Sequence, residues 1–311
     1  MKKIVIALGG NALQSGKGAA TAEAQLETVN ATCEYLAEIM ERDYEIAIVH
    51  GNGPQIGRIL LASETAKDVT PVMPFDVCGA MSQGYIGYHI QQGMNKALRK
   101  RGHGQRQVAT IVTQVVVDKD DLAFQNPTKP IGAFYTKEEA DTLAADKGYI
   151  MKEDAGRGWR RVIASPLPVR INEIATVKYL LADNTVVITC GGGGIPVIEG
   201  AEGLEGVAAV IDKDFSAEKL AEEINADVLM ILTEVEKAAV NFGKPNQQDL
   251  GEITVSQAEQ YISEGHFAAG SMLPKVQAAV KFAKTGRKAI ITALDKAIPA
   301  LEGKTGTVVT L

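Results

Sequence analysis

Short, nearly all-apolar segments rich in β-branched residues alternate with segments of helical periodicity along most of the chain. A strand that is apolar on both faces must be covered by helices on both sides, which is typical of a parallel sheet. The sequence therefore predicts an α/β fold with a mainly parallel sheet. The predicted strands are residues 4–8, 46–49, 108–117, 186–189, 228–232 and 289–291. The predicted helices are residues 23–42, 75–101, 172–183, 217–225 (preceded by Ser216), 255–263 and 273–285.

Residues 118–168 interrupt this alternation. The stretch is rich in glycine, proline and charge, and it carries aromatic residues with which to pack a small core of its own, including Phe134 and Trp159. It predicts an inserted lobe and not a linker.

Composition limits the partners and the compartment. The 32 basic and 38 acidic residues give a net charge of −6, so neither nucleic acid nor an anionic membrane is an expected partner. The ligands are expected to be small. Three widely spaced cysteines, without a CxxC pair, predict neither a disulfide framework nor a zinc site and fit a reducing cytoplasm. No stretch approaches the roughly 20 apolar residues of a membrane helix.

Glycine clusters follow three predicted strands, at residues 9–11, 51–53 and 191–194. In an open α/β sheet the carboxyl ends of the strands face the ligand crevice, and glycines there let backbone N–H groups approach an anion. Three such loops predict one phosphate-handling cleft, although each could be a tight turn. Neither a Walker A motif nor GxGxxG is present, which disfavours a nicotinamide dehydrogenase.

Three lysines lie in settings unusual for surface charge. Lys129 lies between prolines, Lys213 between two aspartates, and Lys275 after Pro274 at a predicted helix start. Ammonium groups beside a phosphoryl group in flight stabilise the charge on its equatorial oxygens. Lys213 could equally form a surface ion pair, and Lys129 could be a loop charge. The four histidines have no paired metal-ligand spacing, and His50 is interpreted as a core residue that could line the cleft.

Taken together, motifs spread over the whole chain resemble those of the carbamate kinase branch of the amino acid kinase family. They are residues 7–12 (ALGGNA), 50–55 (HGNGPQ), 80–84 (AMSQG), 127–132 (PTKPIG), 153–161 (EDAGRGWRR), 190–197 (CGGGGIPV), 210–214 (VIDKD), 265–267 (GHF) and 270–276 (GSMLPKV).

The resemblance implies a three-layer αβα sandwich that forms one domain. Residues 1–117 and 166–205 would form an N-terminal lobe for the acyl substrate, 118–165 a protruding subdomain, and 206–311 a C-terminal nucleotide lobe. It also implies a cytoplasmic homodimer that transfers a phosphoryl group reversibly between carbamoyl phosphate and ADP, in fermentative arginine or related nitrogen catabolism. Mg²⁺ would bind with the ATP or ADP, and the protein itself would hold no metal.

By the same resemblance, the catalytic residues would be Lys129, Lys213 and Lys275, with Asp214 orienting the lysines. The residues expected to hold the small acyl substrate are Gly9, Gly10, Asn11, Gly51, Asn52 and Gly53. The residues expected to bind the nucleotide are Gly192, Gly193, Lys213, Thr233, Met272 and Lys275. Lys129 would act on the small-substrate side and Lys275 on the nucleotide side.

Three other interpretations stay open. The first is another acylphosphate-forming kinase, such as an N-acetylglutamate kinase, whose larger substrate needs room and a guanidinium that the sequence does not identify. The others are a dinucleotide-dependent oxidoreductase and a non-catalytic ligand sensor.

Overall fold

A computed structural model describes residues 1–14, 21–154 and 156–311 of the chain. Ala155, in the motif at residues 153–161, lies outside the described residues. The helices are α1 (Ala22–Met40), α2 (Gly53–Thr65), α3 (Phe75–Lys100), α4 (Lys137–Lys147), α5 (Ile174–Ala182), α6 (Lys213–Glu223), α7 (Val255–Ser263), α8 (Met272–Ala283) and α9 (Ala297–Leu301).

The strands are short and follow the helices in alternation over much of the chain. They are β1 (Lys2–Leu8), β2 (Tyr44–His50), β3 (Val108–Thr110), β4 (Gln114–Val117), β5 (Lys129–Tyr135), β6 (Met151–Glu153), β7 (Trp159–Ile163), β8 (Pro168–Ile171), β9 (Val186–Ile188), β10 (Ile195–Gly200), β11 (Gly203–Gly206), β12 (Val228–Thr233), β13 (Ala239–Val240), β14 (Gln248–Asp249), β15 (Glu252–Thr254), β16 (Lys288–Ala293) and β17 (Thr307–Thr310).

Of the described strands, eight form one sheet in the order β15-β17-β16-β12-β1-β2-β9-β3. The six strands from β16 to β3 run parallel, and only β17 pairs antiparallel, with β16. The α/β fold with a mainly parallel sheet is thus confirmed.

The central strand β1 shows why helices cover both faces. Val5 and Ala7 belong to a core cluster shared with α5, α6, α7 and α8, whereas Ile4, Ile6 and Leu8 belong to a second cluster shared with α1, α3 and α9. Because successive side chains of a strand point to opposite faces, an all-apolar strand builds both cores at once. The result is a three-layer αβα sandwich.

The prediction of one strand over residues 108–117 is wrong. The chain forms β3 in the large sheet and β4 in a separate four-stranded sheet of order β11-β10-β4-β8. Between them the backbone N–H of Thr113 donates to Gln83 Oε1 at 2.8 Å, and the Thr113 hydroxyl lies 2.8 Å from that of Thr189. These side-chain hydrogen bonds replace the backbone hydrogen bonds of a strand pair at this point. The apolar run, which is continuous in the sequence, therefore crosses from one sheet to the other.

One predicted helix has a different start, and helices α2, α4 and α9 are not predicted. The helix predicted at residues 217–225 begins at Lys213, capped by the Asp212 side chain, which accepts from the Asp214 N–H; the Ser216 hydroxyl instead donates to the Gly193 carbonyl at 2.6 Å. Helix α2 is not predicted at all, because Gly51, Gly53 and Pro54 read as a loop. Proline in the first turn of a helix is, however, well tolerated.

The interrupting stretch contains a three-stranded sheet of order β5-β7-β6, together with α4. The chain departs after β4 and returns at β8, which is paired with β4 through Val117 and Pro168. Ile131 and Ile163 of the small sheet pack on Ile56 of α2 and Phe75 of α3. Within the described ranges, no helix has the length and apolar composition needed to cross a membrane.

Candidate active site

The three glycine loops lie side by side along one edge of the large sheet. They follow β1, β2 and β9, which are consecutive in the strand order, and β12, on the other side of β1, ends there at Thr233. Since all four strands are parallel, their carboxyl ends meet at this edge, where open α/β sheets bind ligands.

The first turn of α6 brings two of the three lysines together. Asp214 is 1% exposed and accepts hydrogen bonds from Lys213 Nζ at 2.5 Å and from Lys275 Nζ, on α8, at 2.9 Å. One carboxylate thus holds two ammonium groups, one on each oxygen. The orienting role expected for Asp214 stays a prediction, and this geometry would allow it to orient both lysines.

Lys129 reaches the same region from the small sheet. Its Nζ lies 2.9 Å from Asp212 Oδ2, while Asp212 Oδ1 accepts from the Asp214 N–H at 3.1 Å. Asp212 therefore caps α6 and anchors a third ammonium group beside the other two.

Burial and charge act in opposite directions on these groups. Burial lowers the pKa of Lys213, and the nearby Lys275 adds to this effect, while Asp214 partly offsets it. Burial favours a higher pKa for Asp212, but Lys129, Lys213 and the Asp214 N–H together outweigh burial and hold the pKa of that carboxyl below its usual range. The aspartate therefore stays ionised, and the Lys213 ammonium is costly to keep charged unless anionic oxygens surround it.

A large cavity of about 720 Å³ opens beside the ends of β1 and β12. Its polar lining includes charged residues of both signs, and its apolar lining includes Phe242, Phe267 and Leu294. The residues singled out from the sequence that line it are Gly9, Gly10, Asn11, Thr233, Met272 and Lys275.

A smaller cavity of about 230 Å³ lies beside the ends of β2 and β9, beneath the small sheet. The residues singled out from the sequence that line it are Gly51, Asn52, Gly53, Lys129, Gly192, Lys213, Asp214 and Lys275. Lys275 lines both cavities, so the lysine cluster lies where the two meet.

This distribution differs from the grouping expected from the sequence. The loop at residues 9–11 lies in the large cavity with Thr233 and Met272, and Gly192 lies in the small one with Lys129. Gly193, itself a described residue, lines neither cavity. Its φ is +92°, and a Cβ there would lie 2.0 Å from the Ile211 carbonyl oxygen. Glycine is therefore needed at this position because the backbone packs closely against the segment that leads into α6.

Side-chain bonds hold the loops. Asn52 Nδ2 donates to the Ser82 hydroxyl of α3 at 2.9 Å, and Asn11 Nδ2 donates to Glu234 after β12. A Cβ on Gly51 would lie 3.5 Å from Lys213 Cδ, so the lysine stem crosses directly over that glycine. The glycine loop and the lysine are therefore one packed unit.

His50 is a fully buried core residue directly behind the Gly51 loop. Burial lowers its pKa to about 4, so the ring is neutral near pH 7. Nδ1 lies 2.8 Å from the Gly51 carbonyl oxygen and donates to it, which leaves Nε2 as an unprotonated acceptor. Nε2 has no hydrogen-bond partner in the described part of the chain.

Sequence reasoning missed two charged residues that line the small cavity. Asp212 precedes Lys213 and was seen only as a neighbouring charge, although its place directly before a helical segment is typical of an N-cap. Arg160, on β7, belongs to the motif at residues 153–161, and the charge of that motif is the signal that could have found it.

Among residues 1–14, 21–154 and 156–311, no group of three or more His, Cys, Asp or Glu side chains could hold a metal ion. The aspartates at the lysine cluster are each engaged by an ammonium group.

Comparison with known proteins identifies the family. Residues 2–293 match the model of the amino acid kinase family. A protein named carbamate kinase from Clostridium perfringens is 56% identical over 310 residues, covering 98% of both chains. A carbamate kinase from Pyrococcus horikoshii is 53% identical over 312 residues, covering 99% of both.

Solved structures agree with this result. Carbamate kinase from Giardia lamblia bound to AMP-PNP superposes with a TM-score of 0.93 at 46% identity, over 99% of this chain and 98% of that one. The resemblance found in the motifs is confirmed. The chain therefore belongs to the amino acid kinase family, as a phosphotransferase whose full-length relatives include several proteins named carbamate kinase.

Proposed function

We propose that this chain is a carbamate kinase, which converts carbamoyl phosphate and ADP reversibly into carbamate and ATP. The observation that carries the proposal is the cluster of three ammonium groups at the meeting of two cavities of unequal size. The full-length relatives named carbamate kinase supply the substrate class.

In the proposed arrangement the nucleotide occupies the large cavity and carbamoyl phosphate the small one. Two features support this: the larger volume of that cavity and its apolar lining, which suits a base. The AMP-PNP bound by the Giardia relative supports a nucleotide as one of the two substrates. The small cavity has basic residues and the N–H groups of residues 51–53 to meet a small dianion.

The chemistry needs no covalent intermediate. The bond between the carbamoyl oxygen and phosphorus breaks as a β-phosphate oxygen of ADP bonds to phosphorus, and the carbamoyl oxygen leaves as part of the carbamate carboxylate. Lys129, Lys213 and Lys275 stabilise the charge on the phosphoryl oxygens in transit. Asp212 and Asp214 keep these ammonium groups in place between turnovers.

Mg²⁺ would enter with the nucleotide. It dehydrates reluctantly and is usually bound through one or two carboxylates together with substrate phosphates. The ion would supply neutralisation of phosphate charge.

The proposal includes a homodimer in the cytoplasm. Val77, Met81 and Tyr88 form an exposed apolar stripe on α3, and the exposed Val112 follows β3, the edge strand of the large sheet beside it. A twofold interface uses one surface patch twice, and an uncharged stripe beside a sheet edge suits that use. The three cysteines are buried free thiols, as is usual in a reducing compartment.

The second candidate is an N-acetylglutamate kinase type of activity. Arg160 beside the small cavity is the guanidinium that this alternative requires. Two coupled assays distinguish these activities. The first measures ATP formation from MgADP with either carbamoyl phosphate or acetyl phosphate. The second measures ADP formation from MgATP with N-acetylglutamate. We expect turnover of carbamoyl phosphate. Turnover of N-acetylglutamate with none of carbamoyl phosphate would overturn the proposal.

A further inference from the structure

Two ion pairs join helices α6 and α8. The first lies in the site, where Lys275 Nζ is 2.9 Å from Asp214 Oδ2. In the second, Lys281 Nζ donates to Glu218 Oε2 at 2.6 Å. At a rise of about 1.5 Å per residue, Glu218 lies about 6 Å beyond Asp214 along α6, and Lys281 lies about 9 Å beyond Lys275 along α8. Because the two pairs lie at different heights, together they oppose sliding of one helix along the other.

Glu218 is an unusual residue for the interior. Its side chain is 0% exposed, whereas that of Lys281 is 48% exposed. Burial raises the pKa of Glu218, and the hydrogen bond from Lys281 partly offsets this effect. The second carboxylate oxygen, Oε1, is buried and has no hydrogen-bond partner among the described residues. A well-packed apolar side chain would cost less to bury, so stability alone does not explain an acid at this position.

The starts of the two helices are held differently. The start of α6 is fixed by the Asp212 side chain, which caps it, and by the Ser216 hydroxyl, which donates to the Gly193 carbonyl. At the start of α8 the side chain of the N-cap residue, Ser271, makes no capping hydrogen bond within the described ranges. The position of Lys275, in the first turns of α8, therefore depends on contacts farther along that helix.

A third ion pair of α8 provides a comparison. Lys284 Nζ lies 2.7 Å from Glu259 Oε1 on α7, and the two side chains are 53% and 49% exposed. Helix α7 contains none of the residues singled out for the site. This pair thus has similar geometry, lies on the solvent side and connects α8 to a helix away from the lysine cluster. An exposed pair of this kind contributes little to stability.

We propose that Glu218 is a positioning residue for phosphoryl transfer: its bond to Lys281 sets the register of α8 on α6 and so places the Lys275 ammonium group where the two cavities meet. The inference rests on the proposed function. A displacement of about 1 Å in a group that acts on the transition state can lower the rate about 10²-fold. A buried ion pair can select one arrangement of two helices even where it adds no stability.

The first test is Glu218→Leu, assayed with carbamoyl phosphate and MgADP. Leucine fills the space with apolar atoms and lets Lys281 turn into solvent, so the free energy of unfolding in urea should be unchanged or higher. The kcat should nevertheless fall about 10- to 100-fold. Glu218→Gln keeps an oxygen that accepts from Lys281, so its kcat should fall less than about fivefold. Lys284→Met, the matched control, should keep a kcat within about twofold of the wild type.

The second test asks whether Glu218 acts through Lys275. Lys275→Ala should keep about 10⁻²–10⁻³ of the wild-type kcat, which is measurable with micromolar enzyme. In that background Glu218→Leu should change kcat by less than about twofold, because the group that it positions is already absent. If Glu218→Leu does not fold, Lys281→Met takes its place in both tests.

Three results would overturn the inference. They are a wild-type kcat in Glu218→Leu, a wild-type kcat in Lys275→Ala, and the same fold-loss from Glu218→Leu with and without Lys275. A pair that only stabilises the fold would lower the free energy of unfolding and leave kcat unchanged. Turnover of carbamoyl phosphate by the wild type tests the proposed function separately.

Discussion

At the scale of single residues, the charge balance of the site depends on Asp214. Only 1% of its surface is exposed, and it accepts hydrogen bonds from two ammonium groups that repel each other. Removing such a carboxylate would leave two adjacent cations unpaired, which costs far more than an exposed ion pair contributes. A bound phosphoryl group offers the same lysines alternative acceptors.

We predict that Lys213→Ala lowers kcat by about 10²–10³, the usual loss for one preorganised donor to a transition state. Lys213 is the best candidate because its side chain is only 11% exposed and its stem packs over Gly51. Lys219→Ala is the control, since Lys219 lies on the same helix but pairs with Glu222. A kcat close to that of the wild type would reduce Lys213 to a structural ion pair.

His50 gives a prediction on pH dependence. Its pKa in the folded chain is lowered from 6.5 to about 4, so between these values the unfolded chain binds a proton that the folded chain does not. Stability is then complete above about pH 6.5 and is lost as the pH falls towards 4. From pH 7 to pH 5 the loss due to this residue should be about 2 kcal/mol.

The measurement is urea unfolding of the wild type and of His50→Asn at both pH values and one protein concentration. Asparagine offers a donor to the Gly51 carbonyl but does not titrate. The wild type should lose about 2 kcal/mol more than the variant between pH 7 and pH 5. Parallel losses in the two proteins would mean that His50 is not held neutral.

At the scale of secondary structure elements, periodicity predicts the strands of the large sheet and the longer helices well. Val228–Thr233 and Val255–Ser263, for example, are recognised nearly to the residue, because an all-apolar run or an amphipathic helix carries its own signal. The start of α6 is missed, since whether Asp212 or Ser216 caps it depends on Ser216 bonding to Gly193, 23 positions earlier in the chain. Such long-range bonds leave no local pattern.

The site follows the same rule. The glycine loops and Lys213 stand out in the sequence because glycine clusters and a lysine between aspartates are locally unusual. The division of those loops between two cavities, the double use of Asp214 and the presence of Arg160 depend on how distant segments meet. Parallel strand order places Gly9 beside Thr233 and Gly51 beside Gly191, which the sequence alone does not specify.

We predict that the segment between β4 and β8 can be removed without unfolding the large sheet. Val117 and Pro168 are paired in adjacent antiparallel strands, so a two-residue Asn-Gly turn can replace residues 118–167. The truncated chain should show cooperative thermal unfolding by circular dichroism, with a lowered midpoint because Ile56 and Phe75 lose the contacts of Ile131 and Ile163.

Catalysis should be abolished in this truncated chain, because Lys129 and Arg160 leave with the segment. Full-length Lys129→Ala serves as the control for the loss of that lysine alone and should retain the wild-type midpoint to within a few degrees. Loss of all cooperative unfolding would instead show that the segment is part of the main core.

At the scale of the whole molecule, one sheet edge carries two cavities, and Lys275 is common to both. Helix α3 has two different sides. Its buried side packs against β3 and the Gly191 loop, while Met81 and Tyr88 on the other side are exposed. Helix α3 thus carries the exposed apolar stripe on one side and, on the other, the Ser82 and Gln83 side chains that bond the glycine loops. Gln83 Nε2 donates to the Gly191 carbonyl at 2.9 Å.

We predict that Met81→Lys disrupts a homodimer. Met81 is 49% exposed in the single chain, so the substitution should not disturb folding, whereas a twofold interface would bring two unpaired lysines close together. In sedimentation equilibrium the wild type should have twice the 33.1 kDa chain mass, and the variant should shift to the single-chain mass. Tyr179→Lys, at a 75% exposed site on α5, should remain dimeric. A wild type with the single-chain mass at tens of micromolar would show that there is no homodimer. A Met81→Lys protein that stays dimeric would place the interface elsewhere on the surface.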